Sequence, residues 1–139
     1  MLTHFTIAQP GELLGSILAR FIEQHRIGDD KVALQWLFDN RKVVPSAHLQ
    51  GHIKELHKRV GHIWKITPEK IIYQHTLLPL FAPFTPPQRY KEILNNIIDG
   101  STNTSSLRTG MNTGSLIWPD TYQVCPICLN EQKQSVGFY

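Results

Sequence analysis

The chain is poor in cysteine, in long apolar runs and in alternating strand patterns, and each shortage removes a class of protein. Its two cysteines in 139 residues both fall in Cys125-Pro126-Ile127-Cys128. That argues against the disulfide framework that small secreted domains spread along the chain, and it fits a reducing cytosol. No stretch approaches the roughly 20 apolar residues of a membrane span, and no N-terminal run resembles a signal peptide, so the expectation is a soluble protein with no membrane partner. No period-2 run long enough for a sheet precedes Leu116. Catalytic patterns are missing too. His48 and His52 stand one helical turn apart, as paired ligands do in zinc hydrolases, but Leu49 occupies the place of the required glutamate base. A nucleobase-deaminase site would need proline before its first cysteine and a His-x-Glu pair; here Pro126 follows the cysteine, and His52 and Glu55 are three apart. No Ser/His/Asp order, glycine-rich phosphate loop or carboxylate pair stands out. The sequence reads as a non-enzyme.

What is present is helical periodicity. With 41% hydrophobic residues the chain can bury one modest core. From about Gly11 to Gln24, Leu13, Leu14, Ile17, Leu18, Phe21 and Ile22 form one apolar stripe, with Gly28 as a stop. Asp29 and Asp30 can cap a second helix carrying Val32, Ala33, Trp36 and Leu37, and Ser46 a third with Leu49, Ile53, Leu56 and Val60 inward. Thr67-Pro68-Glu69 opens a fourth: a hydroxyl acceptor, a proline whose missing N–H costs nothing there, and an acid at the positive end of the dipole. Pro79 and Pro83 break the pattern, and a fifth helix with Tyr90, Ile93, Leu94, Ile97 and Ile98 ends at Gly100. The predicted fold is mainly α.

The net charge of +3 is unevenly spread. Residues 1–40 hold three basic and five acidic groups, residues 92–139 two and four, and residues 41–91 nine basic groups against Glu55 and Glu69 alone. That middle stretch, at +7, suits contact with a polyanion such as nucleic acid, although a solvated helix face has the same composition. A helix-turn-helix reading from Ser46 to about Leu78 makes the helix at Pro68 the recognition helix. Lys54, Lys58 and Arg59 then lie on the polar side of the third helix, with Lys65 and Lys70 near the start of the fourth. Counted from Gly61 to Ile66 the connection is six residues, longer than the usual three or four unless the third helix runs on or the fourth begins early. On pattern alone a plain helical hairpin with basic decoration fits somewhat better.

Beyond residue 100 the character changes. Thirteen of the sixteen residues from Gly100 to Ser115 are Gly, Ser, Thr or Asn, which reads as a connector. Leu116-Ile117-Trp118 and Tyr122-Gln123-Val124 then lead into the cysteines, as a short strand leads into a zinc ribbon or knuckle. Cys125 and Cys128 supply two thiolates where a structural zinc takes four ligands, and only eleven residues follow them. The division expected is a helical domain over 1–100 with a helix-turn-helix-like element, a connector over 101–115, and an incomplete zinc-binding unit over 116–139.

Several segments in order carry a family likeness: Pro10-Gly11-Glu12-Leu13-Leu14 with Leu18-Ala19-Arg20; Asn40-Arg41-Lys42-Val43-Val44; Ile72-Tyr73-Gln74-His75-Thr76-Leu77-Leu78-Pro79-Leu80-Phe81-Ala82-Pro83-Phe84; the cysteine knuckle; and Gly137-Phe138-Tyr139. Together they resemble the TniQ family, in the branch that selects target sites for Tn-seven-type transposons. Phe138 departs from the acidic residue of many relatives.

The resemblance implies the front part of a longer, non-enzymatic bacterial adaptor, cytoplasmic and nucleoid-associated. Such an adaptor would bind attachment-site double-stranded DNA and recruit an AAA+ ATPase, and through it the transposase. It implies zinc as cofactor, with Cys125 and Cys128 as the first two ligands and a further cysteine and histidine beyond Tyr139. For the DNA-binding role the candidates are Arg41, Lys42, Lys54, Lys58, Arg59, Lys65 and Lys70. Two alternatives are a TniQ-type module that docks the ATPase or an RNA-guided complex without reading DNA, and a zinc-dependent helix-turn-helix transcription regulator.

Overall fold

Polar caps set where two of the helices begin, and apolar stripes set which way the helices face. The computed structural model describes residues 2–46, 48–100 and 124–137, and seven α-helices lie among them, with no strand. They are α1 (Leu14–Gln24), α2 (Asp30–Phe38), α3 (Ile53–Trp64), α4 (Pro68–His75), α5 (Leu78–Phe81), α6 (Pro87–Asp99) and α7 (Pro126–Val136), with a 3₁₀ turn over Ala82–Phe84. None is long and apolar enough to cross a membrane. The connector at 101–115, the strand-like Leu116–Trp118 and Tyr122, and Phe138 and Tyr139 lie outside the described residues.

Two helix starts follow their caps. The Asp29 carboxylate accepts the Lys31 and Val32 amides, at 2.7 and 3.4 Å, and α2 begins at Asp30. Thr67 Oγ1 accepts the Lys70 amide, with Pro68 first in α4. Elsewhere local bonds move the boundaries. The first helix begins at Leu14 rather than near Gly11, because Gly11 takes a left-handed φ of +74° in the turn before it. It ends at Gln24, short of Gly28. The third begins at Ile53 rather than behind Ser46, because side chains hold that segment as a turn: Ser46 Oγ accepts the Leu49 amide at 3.2 Å and Gln50 Oε1 accepts the Ser46 amide at 2.9 Å. Pro79 does not break the chain into loop; it sits in the first turn of the short α5, where no amide is missed.

The core centres on α3, which packs on α2, α4 and α6. Ile53, Leu56 and Val60 from α3, Ile71 and Ile72 from α4, and Ile93 and Ile97 from α6 are all buried with Leu14, Ile17 and Phe21 of α1. Each such side chain contributes about 1.5–3 kcal/mol by leaving water. The N-terminal segment straps across this core: Phe5 stacks 5.0 Å from both Phe21 and Trp64, and Trp64 Nε1 donates to the Thr6 carbonyl at 3.2 Å.

Candidate nucleic-acid interface

The link from α3 to α4 is three residues, Lys65 to Thr67, because α3 runs on to Trp64. Lys65 takes a left-handed conformation (φ +54°) and its amide donates to the Gly61 carbonyl at 2.8 Å, closing the helix. His57 then reaches across the turn, donating from Nε2 to the Ile66 carbonyl at 2.9 Å. Its ring lies against Gly61 so closely that a Cβ there would stand 2.6 Å from Nε2. Glycine in mid-helix, a residue that costs about 1 kcal/mol relative to alanine, is what lets this clamp form.

The other end of α4 is tied to a distant part of the chain. His75 is buried and donates from Nδ1 to the Glu12 carbonyl at 2.7 Å, 63 residues away. Thr76 Oγ1 donates to the Ile72 carbonyl at 2.6 Å and accepts the Leu78 amide at 3.3 Å. Glu12 itself is locked by its side chain. Arg20 donates from Nε at 2.8 Å and from a terminal nitrogen at 2.6 Å, the Ser16 hydroxyl donates at 2.8 Å, and the Gln9 amide donates at 3.0 Å. Burial pushes the Glu12 carboxyl up, but the Arg20 guanidinium, the Gln9 amide and the Ser16 hydroxyl together hold it below the usual carboxylate range. With both ends held, α4 turns Ile71, Ile72 and His75 inward and Glu69, Lys70, Tyr73 and Gln74 outward.

The seven candidate cations fall into two groups. Lys54 pairs with Asp99 at 2.9 Å, Lys58 with Glu55 at 2.7 Å and Arg59 with Asp39 at 2.5 Å. The hydrogen bond and charge of Asp99 raise the Lys54 pKa. Arg41, Lys42, Lys65 and Lys70 are exposed and have no ion pair among the described residues. An apolar groove of about 960 Å³ between α1 and α2, with Val124 and Gln132 at its wall, includes none of the seven.

Cys125 is the cap residue of α7 and Cys128 lies in its first turn, both exposed. The Cys128 amide, the Cys128 thiol and the Ile127 amide push the Cys125 thiol down, while bonding to Cys125 pushes Cys128 up. The two thiols thus lie three residues apart at the start of one helix. No third His, Cys, Asp or Glu among the described residues joins them.

The TniQ family model matches residues 5–138 of the 139. The chain belongs to the TniQ family. It is 26% identical over 134 residues to transposon Tn7 transposition protein TnsD of Escherichia coli, a match that covers 96% of this chain and 26% of that protein. The chain thus spans about a quarter of the length of the curated relative it matches. In this TniQ chain the segment over residues 72–84 has two jobs. His75, Thr76 and Leu78 are buried and bind the N-terminal segment or the helix end, while Tyr73, Leu80 and Phe84 are 69%, 61% and 85% exposed.

The contributions of His57 and Gly61 escaped sequence reasoning. An isolated glycine four residues after a histidine in a helical pattern was the available signal, and it points to close packing only once the turn is seen.

Proposed function

We propose that this chain serves a transposition target-selection adaptor, contacting double-stranded attachment-site DNA through α3 and α4 and helping to recruit an AAA+ ATPase that brings in the transposase. The observation that carries the reading is the three-residue turn between α3 and α4, set in the most basic part of the chain. It has the length of a helix-turn-helix connection, and the exposed Lys65 and Lys70 flank the start of α4 where phosphate contact is common. Membership in the TniQ family and similarity to a transposition protein support the same reading. Cys125 and Cys128 would hold zinc together with ligands from elsewhere, and the metal would fix α7.

The test is the salt dependence of duplex binding. Neutralising Arg41, Lys42, Lys65 and Lys70 to glutamine should flatten the slope by up to about 0.9 per lost phosphate contact. Neutralising Lys54, Lys58 and Arg59 should flatten it less, because their charges already face carboxylates. Slopes unchanged in both variants would remove this surface from DNA binding.

A second reading is favoured by the exposed Leu80 and Phe84 in the proline-rich stretch after α4. It makes the chain a docking module for the ATPase or for an RNA-guided complex, with DNA read elsewhere in the adaptor. Failure to retain the ATPase without DNA, alongside intact duplex binding, would dispose of it.

A further inference from the structure

We infer that Tyr73 and Gln74 are the sequence-reading residues of this surface, taking an A·T base pair and the methyl of a neighbouring thymine from the major groove. The inference deepens the DNA-contact reading and rests on it. Phosphate contact alone leaves these two residues without a task. Neither is charged, both are exposed on α4, and neither side chain has a hydrogen bond among the described residues. They project from the face opposite Ile71, Ile72 and His75, and Lys70 lies one turn earlier on that same face.

The chemistry matches base edges. A glutamine side chain presents one acceptor and two donors in a plane, which pairs in bidentate fashion with adenine N6 and N7, and an aromatic ring packs on the thymine methyl. Tyr73 would be an odd choice for a solvated helix face, being 69% exposed. Glu69, the acid nearby, is turned to other work, since its own amide and the Thr67 hydroxyl bond its carboxylate and hold its pKa down.

Rigidity is the second requirement for reading bases, because a bidentate contact is lost if its helix shifts. Here α4 is fixed at its start by the Thr67 cap and by His57 on the Ile66 carbonyl, and at its end by His75 on the Glu12 carbonyl. An eight-residue helix on its own would not hold this geometry. The +7 charge of residues 41–91 favours a nucleic acid over an apolar protein partner as the occupant of this face.

The experiment is selection from a randomised duplex pool by the full chain and by Gln74→Ala, Gln74→Glu, Tyr73→Ala and Tyr73→Phe, with circular dichroism confirming that each is folded. The unaltered chain should enrich an adenine at one position beside a thymine. Gln74→Ala should lose the adenine preference, a drop of roughly 5- to 150-fold in discrimination, and Gln74→Glu should move it toward cytosine. Tyr73→Ala should lose the thymine while Tyr73→Phe keeps it, since the ring and not the hydroxyl makes the contact. Salt slopes should stay as they were in all four. Variants that enrich the same bases as the unaltered chain would overturn the inference and leave DNA binding standing. Loss of ATPase capture in Tyr73→Ala with base preference intact would overturn it in favour of a protein-docking face. If the unaltered chain retains no duplex from the pool, the DNA reading itself falls, and the inference with it.

Discussion

Two helices in this chain open with the same local grammar and end up in opposite states. Thr67-Pro68 starts α4 and Cys125-Pro126 starts α7, each with an extended cap residue and a proline in the first turn. The shorter of the two buries Ile71, Ile72 and His75, whereas α7, with eleven residues, exposes Ile127, Cys128 and nearly all of its polar run, with Leu129 only half-buried. A start signal therefore decides where a helix can begin, and burial decides whether it is held. Isolated helices of this length are marginal in water; α4 is held by the core it packs on, whereas α7 buries little of its surface.

That contrast can be broken or sharpened by measurement. The largest effect expected is from Ile72→Ala, which empties a fully enclosed site and should cost about 2–5 kcal/mol in denaturant unfolding. Ile127→Ala in α7 should change the same midpoint by less than about 0.5 kcal/mol, and a large effect there would mean that α7 packs as α4 does. Next comes His75→Ala, which strands the Glu12 carbonyl and should cost about 1–3 kcal/mol. His75→Gln, able to donate to that carbonyl, should recover part of the loss. Thr67→Ala should cost about 1 kcal/mol by removing the cap, against little or no change for Cys125→Ala in the absence of metal.

The smallest effect is in the pH dependence. The folded-state pKa of Glu12 is lowered, so its ion pair with Arg20 contributes fully above the ordinary glutamate value of about 4.3 and is lost as pH falls through the lower folded value. Glu12→Gln should flatten the acid limb of a stability-versus-pH curve. Adding zinc should slow amide exchange in α7 without moving the melting point of the rest, if the two cysteines meet further ligands.

Much of the fold was legible because its signals are local. Asp29 and Thr67 cap where their residue types predict, and the stripes through Leu14–Phe21, Ile53–Val60 and Ile93–Ile97 face inward as their spacing requires. The third helix was placed too early because Ser46 and Gln50 bond to nearby backbone groups, a competition that propensity does not resolve. The candidate site was less legible. Charge density marked the stretch over residues 41–91, but apart from the three-residue spacing of Glu55 and Lys58 nothing along the chain separates Lys54 and Arg59, which meet distant carboxylates, from Lys65 and Lys70, which meet none among the described residues. Asp99 lies 45 residues from Lys54 and Asp39 twenty from Arg59. The segment over residues 72–84 carried the family likeness without disclosing that Ile72, His75, Thr76 and Leu78 within it are buried.

The order of residues by itself determined that this is a mainly helical chain with a basic middle and a cysteine pair near its end, because periodicity and charge act over a few positions. Tertiary structure alone decided the length of the turn before α4, the anchoring of that helix to Glu12, and which cations meet a carboxylate among the described residues. Those depend on groups far apart in the chain being brought within hydrogen-bond reach, and only burial of the shared core brings them there.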